Sequence, residues 1–313
     1  MTSALPEGYA ARPATLDDVD DVVTLRTAHD LAVSGRSEPY REFYGWMWRL
    51  PFVDLARDTL LMHDRQGALG AIGHVSWDPA AGGPMQAVGR VHPAHLGRGL
   101  GAAVLRWSQT AAEGREGAGP TVLFSSAPAA DAVAGQLFVR HGFRHVRNSW
   151  DIELALSGSE RAGDLPDGVC VRPFEPGRDE RALYEVSEET FAEHFGRRPM
   201  PYESFAAEWF DAEDFDPSLV WLAQIEGEIV GFVAAIAFES EGYVGSLGVR
   251  KPFRGRGIAT CLMRQAFAEL AARGFRLASL SVDAGNETGA VELYRKLGMN
   301  VRSEIHIYAT GSE

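Results

Sequence analysis

The sequence predicts an α/β (α+β) fold built as two tandem domains, each a mixed central sheet flanked by helices. Three observations carry that expectation. Short apolar runs with strand character alternate with stretches whose apolar residues keep helical spacing. The same order of elements then occurs a second time: Arg12-Pro13 is answered by Arg172-Pro173, Val91 by Val249 and Gly142-Phe143 by Gly298-Met299, each roughly 160 residues further on. Between the copies runs Ser157 to Gly168, which is small, polar and rich in breakers. The expected organisation is a first domain over 1–156, a linker over 157–168 and a second domain over 169–313. At 313 residues the chain is long for one core and natural for two.

The elements follow in order. Thr15 and Asp18 form a T-x-x-D helix start, and Leu16, Val19, Val22 and Val23 make one apolar face behind it. Phe43, Trp46, Met47 and Leu50 repeat at helical spacing; a packed helix face is the expected use of this aromatic segment, a pocket lining the alternative. Thr59–His63 and Ala68–Val75 flank Asp64-Arg65-Gln66-Gly67 and read as an antiparallel hairpin. Ala87–Val91 is a short strand entering a glycine-rich turn, His92 to Gly101. Thr121–Ser125 reads as a strand, Ala129–His141 as a helix closed by Gly142, and Arg147–Leu156 as a last strand before the cycle restarts.

In the second copy the corresponding strand and turn read G-Y-V-G-S-L-G-V-R-K-P-F-R-G-R-G-I-A, from Gly242 to Ala259. An apolar run ends at Val249, and Ile258, Leu262, Met263, Ala266, Phe267 and Leu270 then keep helical spacing. The first turn of such a helix leaves backbone N–H groups unpaired at the positive end of the helix dipole, which favours an anion. Gly255 and Gly257 open the backbone to a phosphate while Arg254 and Arg256 add charge. A tight turn that merely needs glycine is the plain alternative. Neither the phosphate-loop motif nor the dinucleotide fingerprint fits these residues.

Composition limits the partners. Hydrophobic residues at 45% and charged residues at 23% describe a globular protein, and a formal charge of −13 argues against nucleic acid or an anionic membrane surface. The two cysteines, Cys170 and Cys261, form neither a disulfide framework nor a metal motif, so no metal is expected. With no long apolar run and no basic, apolar start, a cytoplasmic protein is expected, as monomer or homodimer.

Arg254, Gly257 and Ala259 spell R-x-x-G-x-A, which resembles the acyl-CoA-binding signature of the GNAT superfamily of N-acyltransferases. Downstream, the stretch from Asn286 through Ala290, Leu293, Tyr294, Gly298 and Met299 resembles that family's second signature, in the right order and at about the right distance. The resemblance covers nearly the whole chain and implies transfer of an acetyl group from acetyl-CoA to the primary amine of a small molecule, without a metal. It assigns the pyrophosphate to Arg254, Gly255, Arg256, Gly257, Ile258 and Ala259, and pantetheine to the backbone of Leu247, Gly248 and Val249, where a backbone N–H polarises the thioester. Tyr294 becomes the general acid at the leaving sulfur; a tyrosine simply packed on its helix is the alternative. Asn286 is either a coenzyme contact or only a helix N-cap.

Many relatives place a general-base glutamate where this chain has Gly245. Glu239 and Glu241, at the start of the strand, are the candidates here, with carboxylates merely solvated at a hairpin as the alternative reading and a water relay as the alternative base. Glu193 and His194 lie in a segment similar to one that borders the acceptor in tandem members such as mycothiol synthase, whose acceptor is a cysteinyl pseudodisaccharide. A helix-end charge pair is the alternative there. In the first copy the matching positions are Leu96, Ala130 and Phe138, so that copy reads as a degenerate partner, either still able to hold a coenzyme A or purely structural. An antibiotic or polyamine acceptor, or a non-catalytic coenzyme A sensor or scaffold, remains open on the same residues.

Overall fold

The structure, a computed structural model, describes residues 5–37, 40–50, 52–77, 84–113, 122–192, 199–210, 215–286 and 289–311. They form two compact units, residues 1–149 with 303–313 and residues 150–302.

The first unit contains β1 (Tyr9–Arg12), α1 (Val19–Ser34), α2 (Tyr40–Met47), α3 (Leu55–Asp58), β2 (Thr59–Asp64), β3 (Leu69–Ser76), β4 (Met85–Val91), α4 (Leu100–Glu113), β5 (Leu123–Pro128) and α5 (Ala132–Arg140). Its sheet runs β1-β2-β3-β4-β5, antiparallel except for the parallel β4–β5 pair. Beside β5 lies an antiparallel segment from the end of the chain, Ile305 to Ala309 against Pro128 to Phe124. The T-x-x-D start is realised, with Asp18 Oδ2 accepting from the Thr15 backbone N–H at 2.8 Å and its hydroxyl at 2.9 Å. Residues 16–18 make a single 3-10 turn before α1, which ends where Gly35 takes a φ of 73° that glycine adopts without strain. The aromatic segment is helical, but its packed face is Tyr44 and Trp48, whereas Phe43 and Trp46 are exposed. Of the expected stripe Met47 does pack against the cluster of Leu25, Leu61 and Ile72, but the side chains buried there are Tyr44 and Trp48 rather than Phe43 and Trp46.

β6 (Arg144–Ala155) crosses from the first unit into the second. There follow β7 (Val169–Pro173), α6 (Glu180–Phe191), α7 (Tyr202–Trp209), β8 (Val220–Ile225), β9 (Glu228–Ala237), β10 (Gly242–Val249), α8 (Ile258–Ala272), β11 (Leu277–Asp283), α9 (Ala290–Lys296) and β12 (Asn300–Ala309). The sheet order is β7-β8-β9-β10-β11-β6. β9 is apolar on both faces: Val230, Val233 and Ala235 meet α8, while Phe232 and Ala234 join the cluster of α6 and α7. A strand covered on both sides loses the alternation of a half-solvated one, and each large side chain so buried contributes about 1.5–3 kcal/mol.

Each unit begins with the same clamp. Arg12 donates from Nη1 to Asp18 Oδ2 at 2.7 Å and from Nη2 to Oδ1 at 2.5 Å, and Arg172 donates to Asp179 Oδ2 at 2.5 Å and Oδ1 at 2.8 Å. Each arginine also donates to the carbonyl of the proline that follows it, at 3.0 Å. The stretch after β6 is well held despite its composition, since the Cys261 thiol of α8 donates to the Asp164 carbonyl at 3.0 Å.

Candidate active site

The site of the second unit forms where two parallel strands part. Among the described residues β10 and β11 pair only at Gly242–Ala278 and Tyr243–Ser279, although both strands continue beyond those residues. A bulge between Val244 and Ser246 bends β10 on its other edge, at Gly245. From there to Val249 the strand keeps its bonds to β9 and leaves its β11 edge free for another partner. Gly248 sits where a side chain has no space: a Cβ would stand 2.5 Å from Thr190 Oγ1 and 2.9 Å from Phe232.

Beyond Val249 the chain makes a short 3-10 turn at Lys251–Phe253 and enters α8. Gly255 and Gly257 have φ values of 75° and 84°, and Gly257 is the N-cap of α8, without a side chain to occupy its free N–H groups. Arg254 Nε donates to the Val249 carbonyl at 2.9 Å, which ties the arginine to the end of β10. A cavity of about 330 Å³ lies against these residues. Its wall brings together Leu247, Gly248, Val249, Arg254, Gly255, Gly257, Ile258, Ala259 and Tyr294.

Tyr294, on α9, is 8% exposed, and its hydroxyl has no hydrogen-bond partner among the described residues. Burial, with a smaller contribution from Tyr243, pushes its phenol up to about 12. A hydroxyl so placed stays protonated across the ordinary pH range and remains a donor.

Other expected residues stand apart from this cavity. Arg256 lies 6.0 Å from the Phe253 ring centre and is not on the wall. Asn286 sits in the turn after β11, its N–H donating to the Asp283 carbonyl at 3.0 Å; the N-cap of α9 is Gly289, so Asn286 does not cap that helix. Glu239 is exposed between β9 and β10. Glu241 is buried at the start of β10, the end away from the glycine turn, and accepts from Arg302 Nη1 at 2.8 Å. Glu193 and His194 lie outside the described residues. The sequence does not signal Thr190, whose hydroxyl donates to the Val186 carbonyl at 2.8 Å and which lines the cavity directly beside Gly248. Only the fold brings that turn of α6 to β10, and no local pattern signals it. A larger cavity of about 460 Å³, against Asp164, Arg264 and Phe267, contains none of the expected residues.

The residues present fit an acyl-CoA. A glycine-lined helix start with an adjacent arginine suits a pyrophosphate, a free strand edge suits an amide-bearing arm, and the buried Tyr294 hydroxyl is a donor on the same wall. In the first unit the same places differ: Leu96 is 57% exposed, and Phe138 is buried against Phe143 and Tyr308.

Residues 181–299 match the acetyltransferase (GNAT) family. The mycothiol acetyltransferase of Streptomyces avermitilis is 34% identical over 229 residues, covering 71% of this chain and 70% of that protein. That of Kineococcus radiotolerans is 29% identical over 99% of both chains. Among solved structures, a GCN5-related N-acetyltransferase from Sphaerobacter thermophilus matches with a TM-score of 0.87 and 32% identity, covering 98% of this chain and 96% of that one. A tandem GNAT protein from the clavulanic acid biosynthesis pathway shares the fold at a TM-score of 0.75 and 15% identity, covering 97% and 99%.

Proposed function

The chain belongs to the GNAT acetyltransferase family, and from that premise we propose that its second unit transfers the acetyl group of acetyl-CoA directly to the primary amine of a small molecule. One observation carries this reading: the Tyr294 hydroxyl, the parted edge of β10 and the glycine turn of Arg254 to Ala259 share one cavity.

Acetyl-CoA brings an activated acyl group; everything else falls to the chain. The N–H groups at the start of α8, with Arg254, take the pyrophosphate. The free edge from Leu247 to Val249 orients the pantetheine arm, and a backbone N–H there polarises the thioester carbonyl. Tyr294 donates to the sulfur as the carbon–sulfur bond breaks, and the amine proton leaves through water, because the Glu241 carboxylate is engaged by Arg302. Asn286, in the turn after β11, is assigned to the coenzyme. Glu193 and His194 are assigned to the acceptor.

A mycothiol-type acceptor is the second reading, favoured by the activity named for the relatives at 34% identity. Thiol release from acetyl-CoA, followed across a panel of amines that includes cysteinyl pseudodisaccharides, aminoglycosides and polyamines, tests both. Release with one class of amine identifies the acceptor; release with none, while coenzyme A still binds, favours a sensor or scaffold instead.

A further inference from the structure

Arg90 occupies, on β4, the place that Gly248 holds on β10: each precedes the matched valine, Val91 or Val249. In the second unit that place admits no side chain. In the first it carries a guanidinium that is 9% exposed. Arg90 Nη1 donates to the Gly89 carbonyl at 2.8 Å, Nε is buried without a partner, and among the described residues no carboxylate pairs with it. The neighbouring acid is already engaged, since Asp30 accepts from Arg26 Nε at 3.0 Å and from the Tyr40 hydroxyl. His29, in the same turn of α1, bonds through Nδ1 to the Val91 carbonyl at 3.1 Å, and burial followed by the Arg90 charge lowers its pKa, so it adds no competing cation at neutral pH.

Burial, then the charge of Arg26, pull Arg90 down to about 10, which leaves it cationic at neutral pH. A buried guanidinium that has no ion pair of its own among the described residues, and whose neighbouring acid Asp30 is shared with Arg26 and Tyr40, is a costly feature to build into a fold. Its planar fork is matched by two oxygens of one acid group. We propose that Arg90 is the receptor for a small-molecule oxyanion, a carboxylate or a phosphate, held in the first unit where α1 meets β4. The first copy is then no empty duplicate: the strand position that admits coenzyme in one unit recognises an acid in the other.

Thermal unfolding of the full chain in sodium acetate, sodium phosphate and sodium chloride at equal ionic strength tests this. Acetate or phosphate should raise the midpoint of the wild type by a few degrees more than chloride does. Arg90→Met should lose that extra response and, in chloride, unfold no earlier than the wild type, because an unpaired buried charge has been removed. Any phosphate effect at the turn of α8 is common to both proteins and cancels in the comparison. A response to acetate alone identifies a carboxylate, and to phosphate alone a phosphate. The proposal is overturned if neither salt exceeds chloride, or if Arg90→Met responds as the wild type does. Should that variant not fold, Arg90→Lys carries the test: losing the fork must weaken the response, and an undiminished response overturns the proposal.

Discussion

At the scale of single residues, the proposed transfer gives Arg254 the charge and Tyr294 the proton. A contact between a guanidinium and a phosphate is worth about 1.5–3 kcal/mol, so Arg254→Ala should weaken coenzyme A binding roughly tenfold or more by calorimetry. Arg254→Lys should recover only part of that, since Lys keeps the charge but not the Nε bond to Val249. Unchanged affinity in the alanine variant would remove the pyrophosphate from this turn. For Tyr294 the sign of the pH effect follows from its burial. The neutral phenol is favoured up to about 12, so its ionisation takes no activity away as the pH rises through 8, 9 and 10. A pH–rate profile at saturating acetyl-CoA and amine should show no alkaline decline of kcat in that range that is absent from Tyr294→Phe; such a decline would mean the phenol ionises far more readily than its surroundings imply.

At the scale of elements, two contacts set where strands and helices meet. Gly248→Ala drives a Cβ into Thr190 and Phe232, and overpacking of this kind costs about 1–3 kcal/mol. Urea unfolding should show that loss, and adding Thr190→Ala should return part of it; no recovery would mean the crowding is relieved elsewhere. The clamp between Arg12 and Asp18 has a pH signature. The Arg12 hydrogen bonds hold the Asp18 carboxyl well below its ordinary range. Their stabilisation is therefore full above the unfolded pKa near 3.8 and is lost as the pH falls through the folded one. Asp18→Asn should cost about 1–2 kcal/mol at neutral pH, discounted because Arg12 is half-exposed, with the difference shrinking below about pH 4; a penalty independent of pH would contradict the assignment.

Much of this level was legible in advance. The glycine turn, the hairpin and the repeat follow from local spacing, and Tyr294 from a motif. The buried stripe of α2 was not, because Phe43, Tyr44, Trp46 and Trp48 are all apolar and only tertiary contact selects Tyr44 and Trp48. Nor was the Arg302–Glu241 pair, which joins residues far apart in sequence.

At the scale of the whole molecule, one plan is used twice with different contents. Both units part a parallel strand pair, β4–β5 after Ala87 and β10–β11 after Tyr243, and both begin with an arginine–aspartate clamp. What differs is the set of side chains at matched places: Arg90 for Gly248, Leu96 for Arg254 and Phe138 for Tyr294. In the proposed function the second unit alone carries out the transfer. Kinetics of Tyr294→Phe, paired with its coenzyme affinity, tests that most directly. The ring and its packing remain, so binding should stay nearly unchanged while kcat falls by about a hundredfold or more. The defect should shrink with an acyl donor whose thiol leaves more readily. Full turnover in Tyr294→Phe, together with loss of turnover on substituting Phe138 or Leu96, would place the chemistry in the other unit.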